Sequence, residues 1–339
     1  MKNIFVTGGA GFIGSAFVRL VLDEQPDVEI VNFDVLTYAG NLENLAGIES
    51  GRHHFVRGDI CSFGEVLEAL PVNCDAIFNF AAESHVDRSI HAAAEFLKTN
   101  IVGTQILLDA ARTRSVRRFI QVSTDEVMGS LPDESVEFFT EESPLQPNSP
   151  YAASKAGAEF VVRAARETHG TDTVITRCGN NYGPRQFPEK LIPLMIANAM
   201  NDEPLPVYGD GKNVRDWIYV EDHCRAVWLA YEKGRSGEAY NIGARNERPN
   251  LEVVRAILDS FGKPHSLINF VKDRLGHDRR YAINPAKAET ELGWKPRITW
   301  EDGLRKTIDW YSDNQEWVNH IRNAEYRNYY KAMYGTALK

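Results

Sequence analysis

The sequence predicts an α/β fold in which a doubly wound parallel sheet is followed by a smaller C-terminal lobe. Short apolar segments alternate with helical patterns over the first half of the 339-residue chain. A glycine-rich turn follows the first apolar segment, and prolines become frequent after about residue 178. Continuous apolar strands separated by helices are typical of a parallel sheet that is covered on both faces.

Six apolar segments of the first half are predicted to be strands. They lie at residues 4–7, 30–33, 55–56, 76–80, 119–123 and 174–177. Helices are predicted over residues 13–22, 93–112 and 150–167. Ser149 and Pro150 suit the start of the last helix, and Gly170 suits its end.

The prolines of the second half break the chain into shorter elements that suit a lobe closing over the sheet. Parallel sheets bind ligands outside the carboxyl ends of their strands. We therefore assign residues 1–177, with a returning segment at about 214–248, to the domain that contains the sheet. Residues of about 178–213 and 249–330 are assigned to the lobe, and the aromatic tail after Trp310 is read as a packed arm.

Composition limits the partners and the location of the chain. The net charge of −9 argues against general binding to nucleic acid or to an anionic membrane surface. No apolar run approaches the roughly 20 residues of a membrane span. The four cysteines are widely spaced, which predicts reduced thiols and no metal site. Because the first residues run directly into a strand, leaving no room for a signal peptide, we expect a cytoplasmic protein.

The glycine-rich turn predicts a dinucleotide site. Gly8, Gly11 and Gly14 lie between the first strand and the first helix, where glycines let the backbone approach a pyrophosphate at the helix N-terminus. Asp34 ends the second strand and can accept hydrogen bonds from ribose hydroxyls. No arginine directly follows it, which favours NAD over NADP. The sheet is thus predicted to be of the Rossmann type, and the lobe to bind substrate. Asp59 could flank the adenine or could be an ordinary turn residue.

Tyr151 and Lys155 are candidates for hydride chemistry on a hydroxyl. Their i, i+4 spacing places both on one face of a helix. A nearby ammonium and a positively charged nicotinamide would both lower the pKa of the tyrosine, whose phenolate could take a hydroxyl proton. A surface Tyr/Lys pair is the alternative, and the pair gains weight only together with the glycine turn.

Two adjacent carboxylates follow the fifth predicted strand. Asp125 and Glu126 come after Ser123 and Thr124, whose hydroxyls could bond a reacting hydroxyl. Close carboxylates tend to separate in pKa, so that one holds a proton while the other is ionised. An acid and a base beside a redox pair indicate dehydration, although a solvated loop pair remains an alternative.

These motifs together resemble the extended short-chain dehydrogenase/reductases and, among them, the dTDP-glucose 4,6-dehydratases. The resemblance covers nearly the whole chain. It includes residues 7–14, 34–37, 59–60, 81–89, 123–129, 151–155, 180–184, 187–193, 208–211, 215–217, 240–243 and 273–281. The last block is the most specific, because related UDP-sugar enzymes differ there. Met128 departs from the family pattern, which usually has tyrosine at this position.

The resemblance implies a sequence of proton transfers. Tyr151, supported by Lys155, would remove the C4 hydroxyl proton while NAD takes the C4 hydride. Glu126 would abstract the C5 proton, and Asp125 would protonate the departing C6 hydroxyl, with Thr124 beside the reacting group. The hydride then returns to C6, giving a 4-keto-6-deoxy sugar nucleotide.

The resemblance also implies the residues that bind the two ligands. The sugar nucleotide, dTDP-glucose, would contact Ser84, Thr124, Asn180, Lys190, Leu191, Pro206, Tyr208, Arg215, Asn250, Arg274, His277 and Tyr281. NAD would contact Gly8, Gly11, Phe12, Ile13, Gly14, Asp34, Leu36, Thr37, Asp59, Ile60, Ala81, Ala82, Thr99, Tyr151, Lys155 and Asn181. A homodimer through the helices at residues 93–112 and 150–167 is the implied assembly.

Three other functions compete with this interpretation. A UDP-hexose 4-epimerase would share the NAD fold and the Tyr/Lys pair but has no need of an acid–base pair for C6. A dehydratase of UDP-glucose or UDP-N-acetylglucosamine would retain the carboxylates. A non-catalytic NAD-binding protein would be expected to lose Tyr151 or Lys155, and both are present.

Overall fold

The computed structural model describes residues 1–133, 135–322 and 330. The strands of these residues are numbered along the chain: β1 (Lys2–Thr7), β2 (Val28–Asp34), β3 (His53–Arg57), β4 (Ala76–Asn79), β5 (Arg118–Thr124), β6 (Thr173–Cys178), β7 (Asn180–Tyr182), β8 (Leu205–Tyr208), β9 (Val214–Tyr219), β10 (Ala239–Ile242), β11 (Glu247–Pro249) and β12 (Ile268–Val271). Each of the six strands predicted from the first half overlaps one of β1–β6.

The main sheet has seven parallel strands in the order β10-β6-β5-β4-β1-β2-β3. This confirms the predicted Rossmann-type parallel sheet. The chain order reverses between β1 and β4, where the connections leave toward opposite sides. A crevice for a ligand is expected at this switch point, beyond the carboxyl ends of the strands.

Helices cover both faces of this sheet. The α-helices of the described residues, including those of the lobe, are numbered along the chain: α1 (Phe12–Glu24), α2 (Phe63–Ala69), α3 (Val86–His91), α4 (Ala93–Leu97), α5 (Thr104–Thr113), α6 (Pro150–His169), α7 (Leu191–Met200), α8 (Val220–Lys233), α9 (Asn250–Ser260), α10 (Trp300–Asp313) and α11 (Gln315–Ile321). Phe17 of α1 and Trp228 of α8 belong to the core on one face. Leu107 of α5 and Val162 of α6 belong to the core on the other face.

The long helix predicted over residues 93–112 is helical throughout, but its middle is not α-helical. A π-helical turn, Lys98–Gly103, separates α4 from α5. The side chain of Asn100 accepts a hydrogen bond from the Glu83 backbone N–H (2.9 Å) and donates to the Glu83 carbonyl (3.0 Å). These bonds tie the turn to the segment after β4, and π-turns of this kind are frequent at functional sites.

Helix α6 begins and ends where the sequence predicts. The Ser149 hydroxyl accepts a hydrogen bond from the Ala152 N–H (3.1 Å), and Pro150 occupies the first turn. Gly170 ends the helix in the left-handed conformation with φ 68°. A rigid start matters here because the first turn of α6 carries Tyr151.

The second half of the chain has its own apolar core. It contains Ile196 of α7, Val254 of α9, and Tyr311 and Trp317 of the C-terminal helices. The indole N–H of Trp317 donates to the Asn44 side chain (3.1 Å), so this part of the aromatic tail packs against the chain that follows β2. Residues 323–329 and 331–339 of the predicted arm lie outside the described residues.

No helix within residues 1–133, 135–322 and 330 is long and apolar enough to cross a membrane. In the same part of the chain, no cluster of His, Cys, Asp and Glu side chains could hold a metal ion. All four cysteines are free thiols.

Candidate active site

The glycine turn brings the backbone of three segments into contact. Gly8 has φ +70°, and a Cβ atom there would lie 2.6 Å from the backbone nitrogen of Ala81. A Cβ atom on Gly14 would lie 2.2 Å from the Gly8 carbonyl oxygen. Side chains at either position would therefore push α1 or the segment after β4 away from β1. The turn is kept free of side-chain atoms where a pyrophosphate could approach the N-terminus of α1.

A cavity of about 350 Å³ opens at the carboxyl ends of the central strands. The predicted cofactor residues that line it are Gly8, Gly11, Phe12, Ile13, Gly14, Asp34, Thr37, Asp59, Ile60, Ala81, Ala82, Thr99, Tyr151, Lys155 and Asn181. Leu36 is the exception, since its side chain is not part of the lining. Its backbone adopts φ 60°, and its N–H donates to Asp34 Oδ1 (2.8 Å), so it shapes the loop around Asp34.

The cavity fits a dinucleotide that has a free ribose hydroxyl pair. Asp34 is buried at the end of β2, and its Oδ2 accepts from the Ala10 N–H (2.9 Å). Burial raises the pKa of the Asp34 carboxyl, while the two backbone N–H donors act in the opposite direction. A carboxylate has about four acceptor sites, so lone pairs remain for ribose hydroxyls.

The two adjacent carboxylates lie in the wall of the same cavity. A 3₁₀ helix, Asp125–Met128, begins directly at the end of β5. Thr124 caps it: its hydroxyl accepts from the Glu126 N–H (3.4 Å) and donates to Asp125 Oδ1 (3.3 Å). Asp125 is only 1 % exposed, and its Oδ2 is buried without a hydrogen-bond partner among the described residues. The alternative of a solvated loop pair is therefore wrong.

The pKa values of both carboxyls are raised, and the charges around the two groups differ. Burial raises the pKa of Asp125 well above its usual value, and the neighbouring Glu126 charge raises it further. Burial also raises the pKa of Glu126, but Arg274, Lys190 and Arg215 oppose that shift. Asp125 is therefore the better proton holder and Glu126 the better base.

Tyr151 and Lys155 both face the cavity, and burial shifts the pKa values of both. Lys155 Nζ donates to the Val122 carbonyl (2.7 Å), and burial lowers its pKa to about 8. Burial and the charge of Glu126 raise the pKa of Tyr151 well above its usual value. The expected lowering of this pKa included the charge of a bound nicotinamide, so it stays a prediction for the enzyme with its cofactor.

A second cavity, of about 150 Å³, continues from the first toward the lobe. Glu126, Asn180 and Lys190 line both cavities. The predicted sugar-nucleotide residues in the second lining are Asn180, Lys190, Leu191, Pro206, Tyr208, Arg215, Asn250, Arg274, His277 and Tyr281, whereas Ser84 and Thr124 line the first cavity. The carboxylates thus stand where the two spaces join.

The two arginines predicted to bind a diphosphate differ in how they are held. Arg215 donates to the carbonyls of Val214 and Asp278 (2.8 Å each), and its guanidinium lies 4.2 Å from the centre of the Tyr281 ring. Arg274 approaches Asp87, with an N–O distance of 3.7 Å. Its Nε is buried without a hydrogen-bond partner among the described residues, which leaves a donor for an anion.

Sequence reasoning missed several residues of the cavity wall. Cys178, Gln186, Phe187 and Glu189 line the first cavity but carry no pattern that separates them from ordinary loop residues. The resemblance over residues 187–193 was the only signal that included two of them. Met128 is 2 % exposed and belongs to an apolar cluster, so the departure from the family pattern is accommodated by packing.

Comparisons with known proteins agree with this geometry. A family model described as GDP-mannose 4,6 dehydratase matches residues 5–307. The dTDP-glucose 4,6-dehydratase of Salmonella typhimurium is 48% identical, over 98% of this chain and 99% of the relative. A crystal structure of DesIV, the dTDP-glucose 4,6-dehydratase of Streptomyces venezuelae with NAD and TYD bound, has a TM-score of 0.90 at 50% identity, covering 93% of this chain and 98% of that chain.

A more distant likeness helps to place the chain. The UDP-glucose 4-epimerase of Thermotoga maritima, solved with UDP-glucose, has a TM-score of 0.86 but is only 29% identical, over 93% of this chain and 100% of that chain. The shared fold extends to epimerases, whereas the DesIV dehydratase structure is 50% identical. The chain belongs to the GDP-mannose 4,6 dehydratase family of extended short-chain dehydrogenase/reductases.

Proposed function

We propose that the chain is a dTDP-glucose 4,6-dehydratase that works with tightly bound NAD. One observation carries the proposal: two buried carboxyls, Asp125 and Glu126, stand in the same cavity wall as Tyr151 and Lys155. Hydride transfer needs only the tyrosine and lysine. An added acid–base pair is what elimination of water requires.

The side chains divide the proton transfers among them. Tyr151 removes the proton of the C4 hydroxyl. The ammonium of Lys155, which donates a hydrogen bond to the Val122 carbonyl, supplies a positive charge that favours the phenolate. NAD, when bound along the glycine turn and Asp34, accepts the hydride from C4 and returns it to C6.

Once C4 is a ketone, the C5 proton is acidic and Glu126 removes it. Asp125 gives its proton to the C6 hydroxyl, which leaves as water. When the hydride returns to C6, Glu126 gives its proton back to C5.

The pKa shifts support this assignment of roles. Asp125 is the carboxyl whose proton is held more firmly, since burial and Glu126 both raise its pKa. Three cations oppose the shift at Glu126 and favour its ionised form. The reverse assignment would make Asp125 the base, although burial and the charge of Glu126 both disfavour its ionised form.

An epimerase would have no catalytic role for the two carboxyls Asp125 and Glu126. Epimerisation at C4 leaves the C6 hydroxyl in place, so an acid at Asp125 would have no leaving group to protonate. The identities of about 50% to dTDP-glucose dehydratases also favour the thymidine sugar over the UDP-sugar dehydratases. The two dehydratase interpretations share the elimination chemistry and differ in the nucleoside of the substrate and, for UDP-N-acetylglucosamine, also in the sugar.

A panel of sugar nucleotides tests the proposal. We expect dTDP-glucose to lose the mass of one water, as read by mass spectrometry, with no net accumulation of reduced cofactor. UDP-glucose, UDP-N-acetylglucosamine and GDP-mannose should react at least about tenfold more slowly, since the loss of one pocket contact is worth about 1–3 kcal/mol. Inversion at C4 with the C6 oxygen retained would instead establish an epimerase.

We also propose a homodimer formed through α4, α5 and α6. Leu97 (45 %), Val102 (50 %) and Phe160 (58 %) are exposed apolar side chains on this face. Exposed apolar groups on neighbouring helices are typical of an interaction surface.

The dimer predicts a specific effect of charge on this face. Phe160→Asp should shift the mass measured by light scattering from that of a dimer to that of a monomer, because it would bury an unpaired charge. Phe270→Asp is the matched control, since Phe270 is 55 % exposed on β12 in the lobe. A wild-type monomer at micromolar concentration would contradict the proposal.

Two further assignments belong to the same proposal. We propose that residues 1–177, with about 214–248, form the NAD-binding domain and that residues of about 178–213 and 249–330 form the lobe that binds the sugar nucleotide. The packing of α8 against α1 and the addition of β10 to the main sheet support the returning segment. We also propose that the enzyme works in the cytoplasm, where sugar nucleotides are made and used.

A further inference from the structure

Three segments that are distant in sequence meet at one edge of the cofactor cavity. The guanidinium of Arg88, on α3, lies 3.9 Å from the centre of the Tyr38 ring, which follows β2. Arg88 Nε donates to Glu189 Oε2 (3.3 Å), just before α7. The Phe187 ring meets the Tyr38 ring edge-on, with centroids 5.6 Å apart. We call these four residues the Tyr38 cluster.

The charged members of the Tyr38 cluster are held in a desolvated setting. The Glu189 side chain is 1 % exposed and that of Arg88 is 26 % exposed. Burial raises the pKa of Glu189 to about 7, while Lys190, Arg88 and the Tyr38 hydroxyl stabilise its charge. Removal of one partner from such an ion pair destabilises the local structure, because the charge of the other partner is left uncompensated.

The Tyr38 cluster joins two segments of the chain that line the cavity. Thr37, Ala39 and Gly40, which flank Tyr38, line the cavity beside the Asp34 end. Phe187 and Glu189 line it beside Lys190, at the junction with the second cavity. A ligand that runs from the glycine turn to Tyr151 would pass both of these segments, which the contacts of the Tyr38 cluster hold together.

We propose that the Tyr38 cluster is a clamp that retains NAD in the enzyme. The inference rests on the proposed function, in which the cofactor is oxidised again before the product leaves. The cofactor has no net change over that cycle, so its loss midway would leave an oxidised, unfinished sugar. A clamp made of protein side chains would slow the release of the cofactor without favouring its oxidised or its reduced state.

An exchange experiment without any sugar measures the clamp directly. Enzyme loaded with radiolabelled NAD is mixed with excess unlabelled NAD, and the label that remains bound is followed by gel filtration. We expect Arg88→Met and Tyr38→Ala to release the label at least about fivefold faster than wild type, because each removes the cation–π contact that joins the two segments. Tyr38→Phe keeps the ring and should release it more slowly than Tyr38→Ala does.

Controls separate loss of the clamp from general loosening of the fold. Arg117→Met removes an exposed arginine that pairs with Asp75 and should exchange as wild type does. Calorimetric affinity for dTDP should be unchanged in Tyr38→Ala, because Tyr38 does not line the second cavity. Exchange in Arg88→Met and Tyr38→Ala within about twofold of wild type, or an equal weakening of dTDP binding by Tyr38→Ala, would overturn the clamp. Wild-type enzyme that holds no label would overturn the proposed function as well.

Discussion

Tyr151→Phe is expected to form no product and to leave bound NAD oxidised when dTDP-glucose is added. The substitution removes the hydroxyl that takes the C4 proton, while the ring keeps its edge-on contact with Phe96, 6.3 Å between centroids. Loss of a general base costs about 10²–10⁴ in rate, and here it blocks the step on which elimination depends. The absorbance of reduced cofactor in a single turnover measures oxidation at C4, and mass spectrometry measures the formation of product.

A matched variant and the pH profile check the same claim. Tyr231→Phe alters a half-buried tyrosine on α8 and should leave both measurements unchanged. Because burial raises the pKa of Tyr151, its phenolate fraction and the rate of C4 oxidation should rise with pH. The gain should diminish above about pH 8, where Lys155 loses its proton. Product formation by Tyr151→Phe at nearly the wild-type rate would contradict the role of the phenol.

Glu126→Gln is expected to separate oxidation from elimination. The amide is close in size to the carboxylate, and Tyr151, Lys155 and the glycine turn are unaltered. Bound NAD should therefore become reduced on addition of dTDP-glucose, but loss of water should slow by about 10²–10⁴ because no base removes the C5 proton. Reduced cofactor should accumulate on the enzyme in an amount close to that of the active sites.

The control for this variant is a glutamate outside the cavities. Glu137→Gln changes an exposed side chain and should behave as wild type. Asp125→Asn should also reduce bound cofactor, since Asp125 acts only when the C6 hydroxyl leaves. Dehydration by Glu126→Gln at the wild-type rate would show that another group is the base.

Local patterns were sufficient to predict the main elements of the fold. Apolar segments such as that of β1 form strands because both faces of the sheet are covered, and the glycine turn has a geometric requirement at Gly8. The π-turn within residues 93–112 had no comparable signal. It depends on bonds between Asn100 and the backbone of Glu83, and periodicity carries no information about contacts between separate segments.

The site could be predicted only where chemistry follows from short spacing. Tyr151 and Lys155 share a helix face, and the acid dyad lies at a strand end, so both are readable from sequence. The raised pKa of Tyr151 was not, because it depends on burial and on the charge of Glu126 in the folded protein. The contact of Arg88 with Glu189 joins residues that are 101 positions apart, a separation at which local patterns give no signal.

Isotope migration within one molecule is the most direct test that a single pocket both oxidises and dehydrates the hexose. The enzyme is given dTDP-glucose with deuterium at C4, and the product is analysed by mass spectrometry and NMR. The proposed mechanism predicts a 4-keto sugar one water lighter, with the deuterium at C6. Deuterium that stays at C4, or passes into free reduced cofactor, would contradict it.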